Sequence, residues 1–108
     1  MRKLILFIFI LFFTIQVSAY TVSIVDMQIE AEVYLNQNEI FKSISLFREI
    51  IARNPSYFET RLSISKAYFL LGEYNEALLH IQEAMRLNGS SMDAKILSAR
   101  ILTGQGSF

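Results

Sequence analysis

The chain of 108 residues contains no cysteine and only one proline and one histidine. Without cysteine there is no disulfide, no thiol nucleophile and no lipid attached through sulfur, so packing alone must hold a folded domain together. A metal site would need a second histidine or a cysteine at helical spacing from His80, and none exists. The segment Gly104-Gln105-Gly106 lacks the lysine and the following helix of a phosphate-binding loop. The sequence therefore predicts neither a metal nor a cofactor.

Charge of either sign is not in excess, because 10 basic and 10 acidic residues give a formal net charge of zero. No basic patch favours nucleic acid or an anionic membrane surface. The pair Glu73 and Glu76 is interpreted as solvated acids in the first turn of a helix rather than as an acid–base pair. His80 is interpreted as a helix-face or inter-repeat packing residue. Since no titratable groups converge, we predict that the chain is not an enzyme.

The amino-terminal segment MRKLILFIFILFFTIQVSAY combines two basic residues with an uninterrupted apolar run over residues 4–13. Val17-Ser18-Ala19 follows, and small residues flanking Ser18 resemble a signal-peptidase site with cleavage after Ala19. We therefore expect residues 1–19 to be a signal peptide. The rest of the chain would be secreted across the membrane, into a bacterial periplasm or cell envelope.

An uncleaved anchor is the alternative, since residues 4–25 carry no charge and about 20 apolar residues can cross a bilayer. This segment, extending to about residue 25, would hold the chain in the inner membrane. Cleavage is favoured because the strongly apolar core is only ten residues long, and Thr14 and Gln16 dilute the remainder. In either case Arg2 and Lys3 leave the amino end cytoplasmic and the rest beyond the membrane.

A shift of 34 residues aligns the chain with itself. Tyr34 falls on Tyr68 and then on Leu102, and Glu39 falls on Glu73. Most other pairs from residue 31 onward agree in size and polarity, for example Ile44 with Leu78, Ile51 with Met85, and Asn54 with Asn88. Such agreement indicates an internal repeat.

Each 34-residue period contains two stretches with apolar residues at helical spacing. Gly72 separates the two stretches in the second period, because glycine readily adopts the left-handed conformation that ends many helices. Asn38 takes its place in the first period, and asparagine tolerates the same conformation. A short turn makes the two helices antiparallel and close, so Ala77 and the equivalent Ser43 are predicted at their nearest approach. The predicted fold is all-α.

The pattern resembles the tetratricopeptide repeat (TPR), a helix–turn–helix motif of 34 residues. Residues 24–57 form the first repeat, 58–91 the second, and 92–108 a partial third repeat or capping helix. The expected architecture is an α-solenoid of about two and a half repeats of antiparallel helix pairs, preceded by the apolar segment. The family's tryptophan and leucine–glycine pair in the first helix are absent. The matching repeat positions are Tyr34, Ser43, Phe47, Pro55, Tyr68, Gly72, Tyr74, Ala77, Ile81 and Ala84.

The resemblance implies a concave groove, lined by the first helix of each repeat, that holds a peptide or helix of another protein. The main hypothesis is therefore an exported, non-catalytic adaptor or scaffold for protein binding. The positions expected to face the groove are Gln28, Glu32, Leu35, Asn36, Glu59, Leu62, Lys66, Phe69, Leu70, Ile96, Arg100 and Thr103. Leu62 and Phe69 could equally be buried between neighbouring helices.

The last helix suggests a second hypothesis. Ile96, Leu97, Ile101 and Leu102 cover more than one of its faces, which predicts exposed apolar surface at the carboxyl end. This surface would serve homo-oligomerisation of a membrane-anchored structural subunit, with the membrane involved only if the amino-terminal segment is uncleaved. The alternative for the half repeat is a truncation or a divergent cap.

Overall fold

The computed structural model describes residues 2–8 and 22–106. Within residues 22–106 the helices are α1 (Ile24–Asn36), α2 (Ile40–Arg53), α3 (Phe58–Leu70), α4 (Tyr74–Leu87) and α5 (Met92–Gly104). Residues 2–8 are also helical. No helix in the described ranges is both long and apolar enough to span a bilayer. The predicted all-α fold is confirmed, while the cleavage site after Ala19 lies outside the described residues.

Helices α1 and α2 form one antiparallel hairpin, and α3 and α4 form the next. Both turns place one residue in the left-handed region, Asn38 with φ 63° and Gly72 with φ 76°. The residue after it then donates its backbone N–H to a tyrosine carbonyl at 2.9 Å, from Glu39 to Tyr34 and from Glu73 to Tyr68. The sequence predicts Glu73 in the first turn of α4. Because α4 begins at Tyr74, Glu73 instead occupies the N-cap position, without a capping hydrogen bond from its side chain, and Glu76 lies in the first turn.

The two helices of a hairpin touch at small residues. Ala77 and Ser43 have no exposed surface, as the predicted close approach requires. The Ser65 hydroxyl of α3 donates to the Ala77 carbonyl of α4 at 2.7 Å, which joins the helices across this contact. A larger side chain at Ala77 would push the hairpin open.

Aliphatic and aromatic side chains fill the interior between the hairpins. The side chains of Phe47, Ile50, Ile64, Ile81 and Ile101 are fully buried. They come from α2, α3, α4 and α5, so one apolar core runs through the stacked helices. Its continuity depends on neighbouring repeats, because no single hairpin could cover its own apolar face.

A comparison of α1 and α3, the first helices of the two hairpins, shows which residues a preceding hairpin covers. In α3, which packs on α2, Thr60, Ile64 and Ala67 are fully buried. The equivalent positions of α1 are Asp26, Glu30 and Val33, and all three are exposed. The outer face of α1 therefore carries two carboxylates where α3 carries interior side chains.

His80 of α4 belongs to the interface with α3. Its ring stacks on the Tyr68 ring, with centroids 5.7 Å apart and planes 4° from parallel. The Arg61 guanidinium approaches the His80 Nδ1 atom at 3.1 Å and, as a donor only, requires the proton to be on Nε2. Burial first, and then the charge of Arg61, lower the pKa of His80 below its ordinary value of 6.5.

Replacing Gly72 by alanine should destabilise the fold by about 1 kcal/mol, because a side chain at φ 76° is strained even though space around it is free. Gly89→Ala is the matched control: its added methyl would make only an ordinary contact, at 3.5 Å, and no left-handed conformation is required. Urea denaturation of the two variants measures the difference. Equal stability of the two variants would contradict the assigned turn.

NMR titration of His80, the only histidine, should give a pKa below 6.5. Arg61→Gln should raise it by removing a nearby positive charge, whereas Glu76→Gln should lower it further. Because folding lowers this pKa, the unfolded chain binds the proton more readily, and stability should fall as pH drops through about 6.5. A pKa that Arg61→Gln leaves unchanged would argue against the contact.

Candidate functional site: the groove between α3 and α5

An open groove of about 540 Å³ lies between α3 and α5, the first helices of the second and third repeats. Leu62, Lys66, Phe69, Leu70, Ile96 and Arg100 line it, together with Ser63, Asp93 and Leu97. The first six belong to the set predicted from sequence. The structure thus brings together most of the groove residues predicted on these two helices.

The repeat register explains why these side chains meet. Because α3 and α5 occupy equivalent places in successive repeats, residues 34 apart lie side by side across the groove. Leu62 pairs in this way with Ile96, and Lys66 with Arg100. Ser63 likewise pairs with Leu97, and neither residue was among the groove residues predicted from sequence. Applying the same shift to Glu59 would have pointed to Asp93.

Apolar side chains form the floor of this groove. Leu62 and Phe69 are half-buried and Leu97 is buried. Leu70 is 52% exposed and Ile96 45% exposed, so apolar surface remains open to a ligand. The Phe69 ring is fixed against Tyr74, with centroids 5.9 Å apart and the planes tilted by 52°. The floor is therefore apolar and partly open to solvent.

Charged side chains stand at one end of the floor and across its middle. Lys66 and Arg100 are exposed, and Asp93 is exposed in the first turn of α5. None of these three takes part in an ion pair among the described residues. Both signs of charge are therefore available to a bound partner.

The predicted groove residues of α1 fall into two groups. Glu32 and Asn36 are exposed on α1, outside the lining of this groove. Gln28 and Leu35 lie in the interior instead, at 5% and 8% exposure, which corrects the expectation that their side chains face a ligand. The reason for Leu35 is its packing in the common core.

Gln28 is buried because its amide is fully used between α1 and α3. Its oxygen accepts a hydrogen bond from the Thr60 hydroxyl at 2.6 Å. Its nitrogen donates to Glu32 at 2.9 Å and to the Ser63 hydroxyl at 3.1 Å. Ser63 also donates to Glu32, so this network fixes the Glu32 carboxylate at the concave surface. Gln28 therefore joins the two repeats and positions a charge beside the groove.

The remaining predicted residues occupy structural places. Pro55 is exposed after α2, Gly72 lies in the α3–α4 turn, and Tyr34 and Tyr74 are half-buried. The buried members of the set are Ser43, Phe47, Tyr68, Ala77, Ile81 and Ala84. Glu59 and Thr103 are exposed. In the described part of the chain no group of three or more potential metal ligands comes together.

Known proteins resemble this chain in sequence and in fold. Residues 14–106 match the family described as the Tetratricopeptide repeat protein 21 second ARM domain. The DnaJ homolog subfamily C member 7 homolog of Schizosaccharomyces pombe is 28% identical over 75 residues. That match covers 69% of this chain but only 16% of the relative, so the chain corresponds to a small part of it.

Among solved structures, a tetratricopeptide repeat domain protein from Salinibacter ruber superposes with a TM-score of 0.65 at 20% identity. The match covers 78% of this chain and 98% of that one, which shows a shared fold. The fold similarity agrees with the repeat register, and the family match extends over most of the chain. The chain thus belongs to the tetratricopeptide repeat family, in the group of the Tetratricopeptide repeat protein 21 second ARM domain.

Proposed function

We propose that the chain is a non-catalytic adaptor that binds a peptide or helix of another protein in the groove between α3 and α5. The observation that carries this proposal is the concave apolar floor, where Leu70 and Ile96 remain about half exposed beside the fixed Phe69 ring. Concave, mostly apolar surfaces with a few polar groups are typical of ligand sites. Helical repeats of this family offer such surfaces to protein segments.

The proposal also places the adaptor outside the cytoplasm, in a bacterial periplasm or cell envelope. It rests on the two basic residues before the apolar run of residues 4–13 and on the small residues around Ser18. The absence of cysteine is compatible with an oxidising compartment, because such a chain cannot form wrong disulfides.

Leu70→Glu and Ile96→Glu should each reduce recovery of partner proteins from envelope extract at least tenfold, because each puts a charge on the apolar floor. Both side chains are largely exposed, so the fold should survive, as circular dichroism can verify. Leu79→Glu is the matched control, since Leu79 is 61% exposed on α4 and outside the groove. Equal recovery by all three variants and the unchanged chain would exclude the groove.

A second candidate function is self-association through α5, in a structural subunit anchored by residues 4–25. The observation in its favour is the register of α5. Ser65 and Tyr68 of α3 meet α4 through the Ala77 carbonyl and the His80 ring, but the equivalent Ala99 and Leu102 are exposed. Met92 on the same helix is 64% exposed. The face of α5 that corresponds to the covered face of α3 is therefore open.

Sedimentation of the purified chain should then show a dimer or larger species, and Leu102→Glu should return it to a monomer while Leu79→Glu does not.

The mass of the same material decides whether the anchor is present. Loss of residues 1–19 would exclude anchoring and support export with cleavage. A monomer at every concentration would contradict self-association.

A further inference from the structure

We propose that the groove selects a helix with two unlike charged edges: an acidic edge facing Lys66 and Arg100, and a basic edge facing Glu59 and Asp93. This inference rests on the proposed function of the groove, and it names the chemistry of the partner. The partner is an amphipathic helix of another protein whose apolar face covers Leu62 and Ile96, the part of the floor between the charged edges.

The first step concerns the positions of the charges. Lys66 and Arg100 are 34 residues apart, and so are Glu59 and Asp93, which places each pair side by side on α3 and α5. The acidic pair precedes the basic pair by seven residues on each helix. Seven residues make nearly two turns, so both charges share one helix face and are separated by roughly 10 Å along the axis. Lys66, Arg100 and Asp93 line the groove, and Glu59 lies just outside its lining on the same face of α3. The repeat register therefore gives the surface a basic row and an acidic row.

The second step concerns the surface between the rows. Leu62 and Ile96 lie three residues after the acids and four residues before the bases, which puts them on the same stripe of each helix. Both line the groove. The part of the floor between the rows, formed by Leu62 and Ile96, is about 10 Å across, close to the diameter of a helix with its side chains. Phe69 and Leu70 continue the floor beyond the basic row. A helix laid along the floor would thus bring one of its edges to each row.

The third step concerns the availability of the charges. All four side chains are exposed, and none forms an ion pair within the described residues. Glu59 and Asp93 lie in the first turns of α3 and α5, where they also suit the helix dipole. That role leaves exposed carboxylates facing a partner. A helix with two acidic edges would place like charges against Glu59 and Asp93. A helix with two basic edges would place like charges against Lys66 and Arg100.

The pattern ends at α1. There Glu32 takes the place of Lys66 and Arg100, and Val25 takes the place of Glu59 and Asp93. The Glu32 carboxylate is held by hydrogen bonds from Gln28 and Ser63. A partner long enough to reach α1 should therefore carry a basic residue at the end of its acidic edge.

Three synthetic helical peptides with the same leucine stripe test the proposal. Their edges are glutamate and lysine, glutamate on both sides, or lysine on both sides, with the charges seven residues apart. Fluorescence anisotropy with the full-length chain should show the mixed peptide binding about fivefold more tightly than either uniform peptide. The advantage should shrink at high salt, because exposed charges are screened.

The double variant Lys66→Glu with Arg100→Glu supplies the reciprocal test. It should bind the all-lysine peptide best, because both rows are then acidic. Lys95→Glu is the control, since Lys95 is exposed on α5 but does not line the groove. Equal binding of the three peptides would overturn the edge selection and leave groove binding standing. Failure of all three to bind would count against the proposed function as well.

Discussion

The close contact between the two helices of a hairpin is the constraint on which the rest of the structure depends. Ala77 and Ser43 are small enough for the helices to touch, and the Ser65 hydroxyl bonds to the Ala77 carbonyl across the contact. The small residues bring the two helices of each hairpin close together, although only the second hairpin has the serine bond, since Ala31 replaces Ser65 in the first. Hairpins packed in this way can stack, and the stacking buries a core that no unit could close alone.

Stacking also determines which face of the first helix of each repeat stays exposed. Helix α3 is covered by neighbouring helices, and Thr60, Ile64 and Ser65 are buried in these contacts. The remaining face of α3 is the concave one, and its exposed residues Lys66 and Leu70 can vary at less cost to the core than the half-buried Leu62 and Phe69. The groove is therefore a by-product of regular packing, while the identities of Lys66 and Phe69 give it a particular chemistry.

The 34-residue period was sufficient to predict the hairpins, the left-handed residues Asn38 and Gly72, and the small residues at the contact, because these depend on local geometry. The burial of Gln28 was not predictable in the same way. It depends on hydrogen bonds with Thr60 and Ser63, which lie more than thirty residues later on a neighbouring helix. Leu35 is predicted to face the groove but lies in the core for a similar reason, since helical spacing alone does not say which neighbour covers a given face.

The carboxylates of Asp26 and Glu30 on the outer face of α1 have a consequence for assembly. An array of identical units with two adhesive ends would string into filaments, because a head-to-tail contact that does not close on itself repeats without limit. The open face of α5 offers one such end. Seating it on α1 would bring the cation of that face, Lys95, against the two carboxylates, so one acid would leave water without a counter-charge, which is unfavourable. The outer face of α1 and the open face of α5 are thus poorly matched in charge, which disfavours a head-to-tail contact between these two faces.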